Sequence, residues 1–209
     1  MASSRSTQDV GIEVHDGPAT TEIIDRLIRI WAEGNPGGDP EYRKSLALRH
    51  TACDGFRCFT ATSDSEIAGY AYGMYNGQGT GLNEPGNVRS VGSHDLLSEW
   101  TSKGAPENPW ISPDWRPAFD IAEVQVLAAC RRRRIGRRLV REICHSVPDD
   151  EPVVLTVEPD NTGARLLYQQ AGFRDLMGFP ITSIYLPMNP QVLMGLRHAR
   201  DAGAAGGEE

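Results

Sequence analysis

The chain has 209 residues, of which 39% are hydrophobic and 23% charged, an ordinary globular composition with enough length for one α/β domain and its core. No apolar run approaches the roughly 18 residues of a membrane-spanning helix, and the opening MASSRSTQDVGIEV lacks the apolar stretch of a secretory signal, so the expected location is the cytoplasm, with no membrane partner. Within the net charge of −7, Arg131, Arg132, Arg133, Arg134, Arg137, Arg138 and Arg141 fall in eleven residues free of acids, and the chain without them carries −14; such a basic patch attracts a polyanion, and the acidic remainder favours cationic substrates and opposes wide contact with nucleic acid.

In chain order, residues 1–10 read as a flexible leader and GIEVHDG as a short first strand. Thr20 or Thr21 then caps a helix in which Ile23, Ile24, Leu27, Ile28 and Trp31 recur at helical spacing. Gly34 and Asn35-Pro36 end it, and EYRKSLALRH follows as a second short helix with Tyr42, Leu46 and Arg49 on neighbouring turns. GFRCFTAT and EIAGYAYGMYN, parted by SDS, predict an antiparallel hairpin. Residues 77–117 form a long insertion with one short helix expected at His94 to Thr101, and a segment of that length inside a domain is more often functional than accidental. AFDIAEVQVLA reads as the strongest strand, RRRRIGRRLVREICHSV as an amphipathic helix, PVVLTVE as a buried strand and NTGARLLYQQAG as another helix. ITSIYLPMN is a candidate last strand, PQVLMGLRHA a short helical stretch, and 201–209 a disordered tail, leaving a single domain over 11–200.

Metal chemistry has little support, because the five histidines lack ligand spacing and the four cysteines form no CxxC pair. The chemistry gathers instead where a strand runs into a helix. Free N–H groups of a helix's first turn and the helix dipole both favour an anion there, and arginines at the turn would add charge-assisted contacts to phosphates.

VLAACRRRRIGRRL resembles the cofactor motif of the GNAT superfamily of acyl-CoA-dependent N-acetyltransferases, written as Arg or Gln, any two, Gly, any one, then Gly or Ala. Arg131 fills the first position and Gly136 the last. Arg134 stands where the pattern has its central glycine, and the proline that often precedes the turn is replaced around Ala128. Further on, Asn161 followed by ARLLYQQAGF resembles the family's Asn, helix, Leu-Tyr, Gly-Phe pattern at the right distance. The resemblance covers Phe119 to Phe173 and implies a mixed α/β (α+β) fold: a twisted mixed sheet flanked by helices, antiparallel strands first, then a parallel pair splayed at the cofactor site.

It also implies transfer of an acetyl group from acetyl-CoA to a primary amine, with no metal and no covalent acyl-enzyme. Tyr168 would serve the departing thiol as general acid and Glu123 would be the base, with Asp120 its nearest rival. Val126 and Ala128 would offer backbone groups to pantetheine and the carbonyl oxygen. Arg131, Arg132, Arg133, Arg134, Ile135, Gly136 and Arg137 would hold the phosphates, and Asn161 would touch the pantetheine arm or order its turn. Strand alternation puts Glu123, Gln125 and Leu127 on one face and Val124 and Val126 on the other.

Trp110 and Trp115 with the acids of the insertion could form a substrate pocket for a cationic amine, or equally a satellite core or homodimer contact. The preferred acceptor is a small cationic metabolite or an aminoglycoside-like antibiotic, followed by protein lysine or N-terminal amines. The rival classes are a GNAT-like regulatory module that binds acyl-CoA without turnover and a nucleic-acid-binding protein using the arginine run.

Overall fold

The computed structural model describes residues 10–16, 19–75, 118–176 and 191–196. At the chain's start, β1 (Gly11–Asp16) is followed by α1 (Thr21–Gly34), where Thr20 is the cap and its hydroxyl accepts from the Ile23 N–H at 3.3 Å. The apolar positions of α1 bury Ile24, Leu27, Ile28 and Ile30. Asp39 caps α2 (Pro40–His50) by accepting from the N–H groups of Glu41 and Tyr42, with Pro40 at the first helical position, where its missing N–H costs nothing. Leu46, Ala47 and His50 are the buried residues of α2, whereas Tyr42 is exposed.

β2 (Arg57–Ser63) and β3 (Glu66–Tyr75) form the expected hairpin. Its two turn residues, Asp64 and Ser65, have φ of 55° and 66°, as a two-residue type I′ turn requires for strands of right-handed twist. After the insertion come β4 (Phe119–Val126), a 3₁₀ turn (Ala128–Cys130), α3 (Ile135–His145), β5 (Val153–Val157), α4 (Thr162–Gln170), β6 (Arg174–Asp175) and β7 (Val192–Leu196). The described strands make one seven-stranded sheet in the order β1-β2-β3-β4-β5-β7-β6, antiparallel throughout except for the parallel pair β4 and β5. The expected mixed sheet is present.

Among the described residues each face of this sheet carries two helices and its own core. On one face α3 and α4 cover Phe59, Ala71, Phe119, Ile121, Leu155 and Met194. On the other α1 and α2 cover Cys58, Tyr70, Tyr72 and Met74. β4 crosses between β3 and β5 with one irregularity: Tyr72 is opposite Glu123 while Gly73 is opposite Ile121, so Ala122 bulges. Strict alternation would put Ile121 on the face of Glu123. The extra residue instead leaves Phe119 and Ile121 in the α3/α4 core with Val124 and Val126, while Ala122 and Leu127 pack toward α1 and α2.

Two expectations need correction. The helix read from RRRRIGRRLVREICHSV begins only at Ile135, because Arg132 and Arg134 have φ of 63° and 62°, which a right-handed helix cannot contain. The helical stretch expected around PQVLMGLRHA is instead strand β7 over Val192–Leu196, where Val192, Leu193 and Met194 are all buried between β5 and β6. A short run apolar on both faces fits either structure locally, and the neighbouring strands select the extended one. The helix expected at 94–101, the strand at 181–189, the insertion with Trp110 and Trp115 and the tail lie outside the described residues, as does the leader apart from Val10, which is buried. No described helix is long and apolar enough to cross a membrane.

Candidate active site

The site starts from a break in the sheet. β4 pairs with β3 along its whole length, yet it pairs with β5 only at Phe119 with Val153 and Asp120 with Val154. Beyond Asp120 the two parallel strands diverge and open a wedge. The Leu127 N–H bonds to the Ala68 carbonyl on the β3 side at 2.9 Å, so the main-chain groups of neighbouring Val126 are directed toward the wedge. The Val126 carbonyl accepts there from Arg131 Nε at 3.2 Å. An extended chain of amides laid in the wedge would find β4 ready to pair.

At the top of the wedge the 3₁₀ turn and four arginines lead into α3. The first intrahelical bond runs from the Arg138 N–H to the Arg134 carbonyl at 3.1 Å, leaving the N–H groups of Ile135, Gly136 and Arg137 without intrahelical acceptors. Arg134, the residue before the helix, lies in the left-handed region at φ 62° and ψ 11°. The backbone conformation that glycine adopts freely is therefore kept although the side chain is arginine. Cations gathered at the positive end of a helix dipole repel one another and the helix, and a bound anion removes that conflict. The four arginines are not equivalent. Arg131, Arg132 and Arg134 are exposed, whereas Arg133 turns to the hairpin and donates from Nη2 to Ser63 Oγ at 3.1 Å. A Cβ added at Gly136 would come within 2.9 Å of Leu167 Cδ1, so the glycine lets α3 start close against α4.

Glu123 lies on the α1/α2 face, its side chain only 7% exposed. Its Oε2 pairs with Arg43 Nη2 of α2, and its Oε1 accepts from Gln125 Nε2 at 2.9 Å. The Arg43 guanidinium lies 5.8 Å from the centroid of the Trp31 ring, within cation–π range. Tyr72, the cross-strand partner of Glu123, is buried with its hydroxyl 3.2 Å from His50 Nδ1. Burial, with Arg43 and Arg49 adding like charge, pushes the His50 imidazole down to about 4, so it is neutral at physiological pH. Asp120 is buried on the strand where β4 and β5 still pair, before the wedge opens.

Tyr168 comes from the opposite face. Its ring is buried in the α3/α4 core, 5.9 Å from Phe173, and burial pushes its phenol up to about 12. Glu123, paired with Arg43 of α2, and Tyr168, in the α3/α4 core, thus lie on opposite faces of the sheet. Asn161 is the cap of α4, its Oδ1 accepting from the Ala164 N–H at 3.2 Å.

Sequence reasoning missed three contributors. Arg43 depends on the packing of α2 against the sheet and left no local trace, whereas the contact of Gln125 with Glu123 follows from their shared strand face. Glu33, in the last turn of α1, accepts from the Ala128 N–H at 3.2 Å. That N–H exists because alanine stands near where the motif often has proline. Glu33 did carry a signal: an acid at the negative end of a helix is unfavourable unless something else holds it. A Cβ at Gly34 would lie 3.3 Å from Gln125 Oε1 and 3.8 Å from Arg131 Nη2, so the end of α1 rests on the same strand and turn.

A family model described as the Acetyltransferase (GNAT) family matches residues 24–173. Among solved structures, a protein from Desulfovibrio desulfuricans provisionally assigned as a GNAT-family acetyltransferase aligns at 16% identity and a TM-score of 0.57, covering 90% of this chain and 100% of that one. A ribosomal-protein-alanine N-acetyltransferase from Brucella melitensis aligns at 17% identity and 0.54, covering 88% and 98%. A Bacillus subtilis acetyltransferase in complex with CoA aligns at 15% and 0.50, covering 90% and 99%. At such identities these likenesses speak for the fold. No curated protein sequence matches the chain.

Proposed function

The chain belongs to the GNAT acetyltransferase family, whose acyl donor is acetyl-CoA, and from that premise we propose that it acetylates a small cationic primary amine, with Glu123 as base and Tyr168 assisting the leaving group. The observation that carries this reading is the wedge between β4 and β5, which ends at the helix start of α3 with Arg134 still in the backbone conformation of the motif's glycine.

The residues present fit the donor. The exposed Arg131, Arg132 and Arg134 and the N–H groups of Ile135, Gly136 and Arg137 would hold its phosphates, and the main chain of Val126 would hold its pantetheine amides. Ala128 would join Val126 only once its N–H is released from Glu33. Arg133 would act at a distance, because its guanidinium serves the hairpin. Asn161 would order the α4 turn through its cap rather than by direct contact. Bound acetyl-CoA supplies a thioester carbonyl open to attack and a thiol leaving group.

An amine can attack only once it has lost its proton, so the base must be an anion at neutral pH within hydrogen-bond reach. Glu123 is ion-paired with Arg43, and a carboxylate offers about four acceptor positions, so those not used by Arg43 and Gln125 would take the proton from the acceptor ammonium. The Val126 N–H would orient the carbonyl oxygen as charge develops on it. Tyr168 keeps its proton throughout the physiological range, since its phenol is pushed up to about 12. A proton held so firmly does not pass readily to a departing thiolate, whose conjugate acid is more acidic; Tyr168 therefore acts by donating a hydrogen bond to the sulfur while the carbon–sulfur bond breaks, and the thiolate takes the second proton shed by the attacking nitrogen. Asp120 is less suited to the base role, since it precedes the opening of the wedge.

The acidic balance of the chain outside the arginine run supports a cationic acceptor. The test is acetyl-CoA binding by calorimetry with wild type and Arg131→Ala, followed by a screen of amines for thiol release. Binding weakened by the substitution, together with a roughly 100-fold loss of kcat in Tyr168→Phe, is the expected outcome. Binding without turnover would make the chain a regulatory acyl-CoA sensor. No binding at all would overturn the cofactor assignment. A fall in kcat between pH 8 and 10 caused by ionisation of Tyr168 would contradict its role, because its proton is lost only near 12.

A further inference from the structure

We propose that Arg43 is a positioning residue for acyl transfer, fixing the carboxylate of Glu123 and acting on the reaction only through it; the inference rests on the reading of Glu123 as the base. A glutamate side chain has several rotatable bonds, and a misplacement of about 1 Å in a reacting group can cost on the order of 100-fold in rate. Glu123 has a partner at each oxygen, a hydrogen bond at Oε1 and an ion pair at Oε2. Gln125, on the same face of β4, donates to Oε1 at 2.9 Å, and Arg43, from α2, pairs with Oε2. The first partner fixes the carboxylate along the strand and the second fixes it across the gap to the helix layer.

Arg43 is itself braced. The Trp31 ring of α1 lies 5.8 Å from its guanidinium carbon, and the main-chain carbonyl of Trp31 accepts from Asn35 Nδ2 at 2.8 Å. The Arg43 side chain is 19% exposed, and that of Glu123 7%, so the pair is shielded from solvent and its charges matter to each other. The neighbouring phenol does not substitute for it, since the Tyr72 hydroxyl is engaged with His50. The bulge at Ala122 ties this arrangement to the wedge: it keeps Glu123 on the α2 face while Ile121 stays in the opposite core. Arginine suits the task because its planar fork approaches a carboxylate in a fixed plane, whereas a lysine ammonium does not.

The test compares Arg43→Lys, Arg43→Gln, Glu123→Gln and the double variant Arg43→Gln/Glu123→Gln in the full chain. Acetyl-CoA is the donor, and spermidine, tobramycin and an alanine-initiated peptide are the acceptors. Glu123→Gln should lower kcat about 100-fold. Arg43→Gln should lower kcat by roughly 10-fold or more, with the Kd for acetyl-CoA within about twofold, and Arg43→Lys should recover part of that loss. The double variant should be no slower than Glu123→Gln alone, because a residue acting through Glu123 has nothing to position once the base is gone. Losses that multiply in the double variant, or a loss confined to KM, would overturn the inference and leave Glu123 as base. If Arg43→Gln does not fold, Arg43→Lys carries the same comparison in both Glu123 backgrounds. Full activity in Glu123→Gln, or no thiol release with any acceptor, would instead sink the reading on which the inference rests.

Discussion

Replacing Arg134 with glycine should make the protein more stable, against the usual direction for a substitution at a helix start. The residue sits at φ 62° and ψ 11° immediately before α3. A side chain with a Cβ costs about 1–2 kcal/mol in that region, while glycine loses about 0.5–1 kcal/mol more in chain entropy on folding. The difference leaves Arg134→Gly more stable by about 0.5–1 kcal/mol, or roughly 1–4 °C in Tm for a domain of this size. Arg134→Ala is the control: it removes the same charge but keeps the Cβ and therefore the strain. Thermal unfolding of the three proteins followed by circular dichroism, at one pH and salt concentration, separates backbone from charge. Because the Arg134 side chain is exposed, its charge should be worth about 0–1 kcal/mol to phosphate binding, and both variants should lose no more than about fivefold in acetyl-CoA affinity. Equal Tm values for Arg134→Gly and Arg134→Ala would refute the claim that the turn holds glycine's conformation at a cost.

Arg131→Ala should weaken acetyl-CoA binding, and the wild-type affinity should fall with added salt more steeply than that of the variant, as calorimetry at two ionic strengths would read. Gly69→Ala should cost about 1–3 kcal/mol, because the new Cβ would lie 2.7 Å from the Gln125 carbonyl oxygen and 3.2 Å from Val126 Cα, backbone atoms of the site strand; a denaturation midpoint matching wild type would contradict this. Asn161→Ala should cost about 1 kcal/mol through the lost cap, with acetyl-CoA affinity unchanged, and an affinity loss would show that the side chain also touches the cofactor. His50 has a folded pKa of about 4 against 6.5 in the unfolded chain, so the stability from its burial is intact above pH 6.5 and is lost as the pH falls toward 4. The loss should be on the order of 3 kcal/mol. Denaturant titrations at pH 7 and 4.5 should show it in wild type and not in His50→Gln.

The sequence by itself determined the elements whose identity rests on local chemistry. Thr20 starts a helix because its side chain can satisfy one of the first free N–H groups. The run from Phe119 to Phe173 alternates strand and helix with motif residues at fixed spacing, so the family was legible there. Local pattern could not settle Val192–Leu196, since an apolar run without a polar face fits a helix or a buried strand, and only β5 and β6 on either side make it a strand. Nor could it show that Arg131 to Arg134 precede α3, because nothing in an arginine run announces two left-handed residues. The candidate site divides in the same way. Tyr168 could be named from its position in a motif and Glu123 from its place on the strand before the other, but the face on which Glu123 lies, opposite the core that holds Tyr168, follows from the bulge at Ala122. Arg43 is 80 residues from Glu123 in the chain, and their pairing exists only because α2 packs on that face of the sheet; a long-range ion pair is set by tertiary packing, to which sequence spacing is blind.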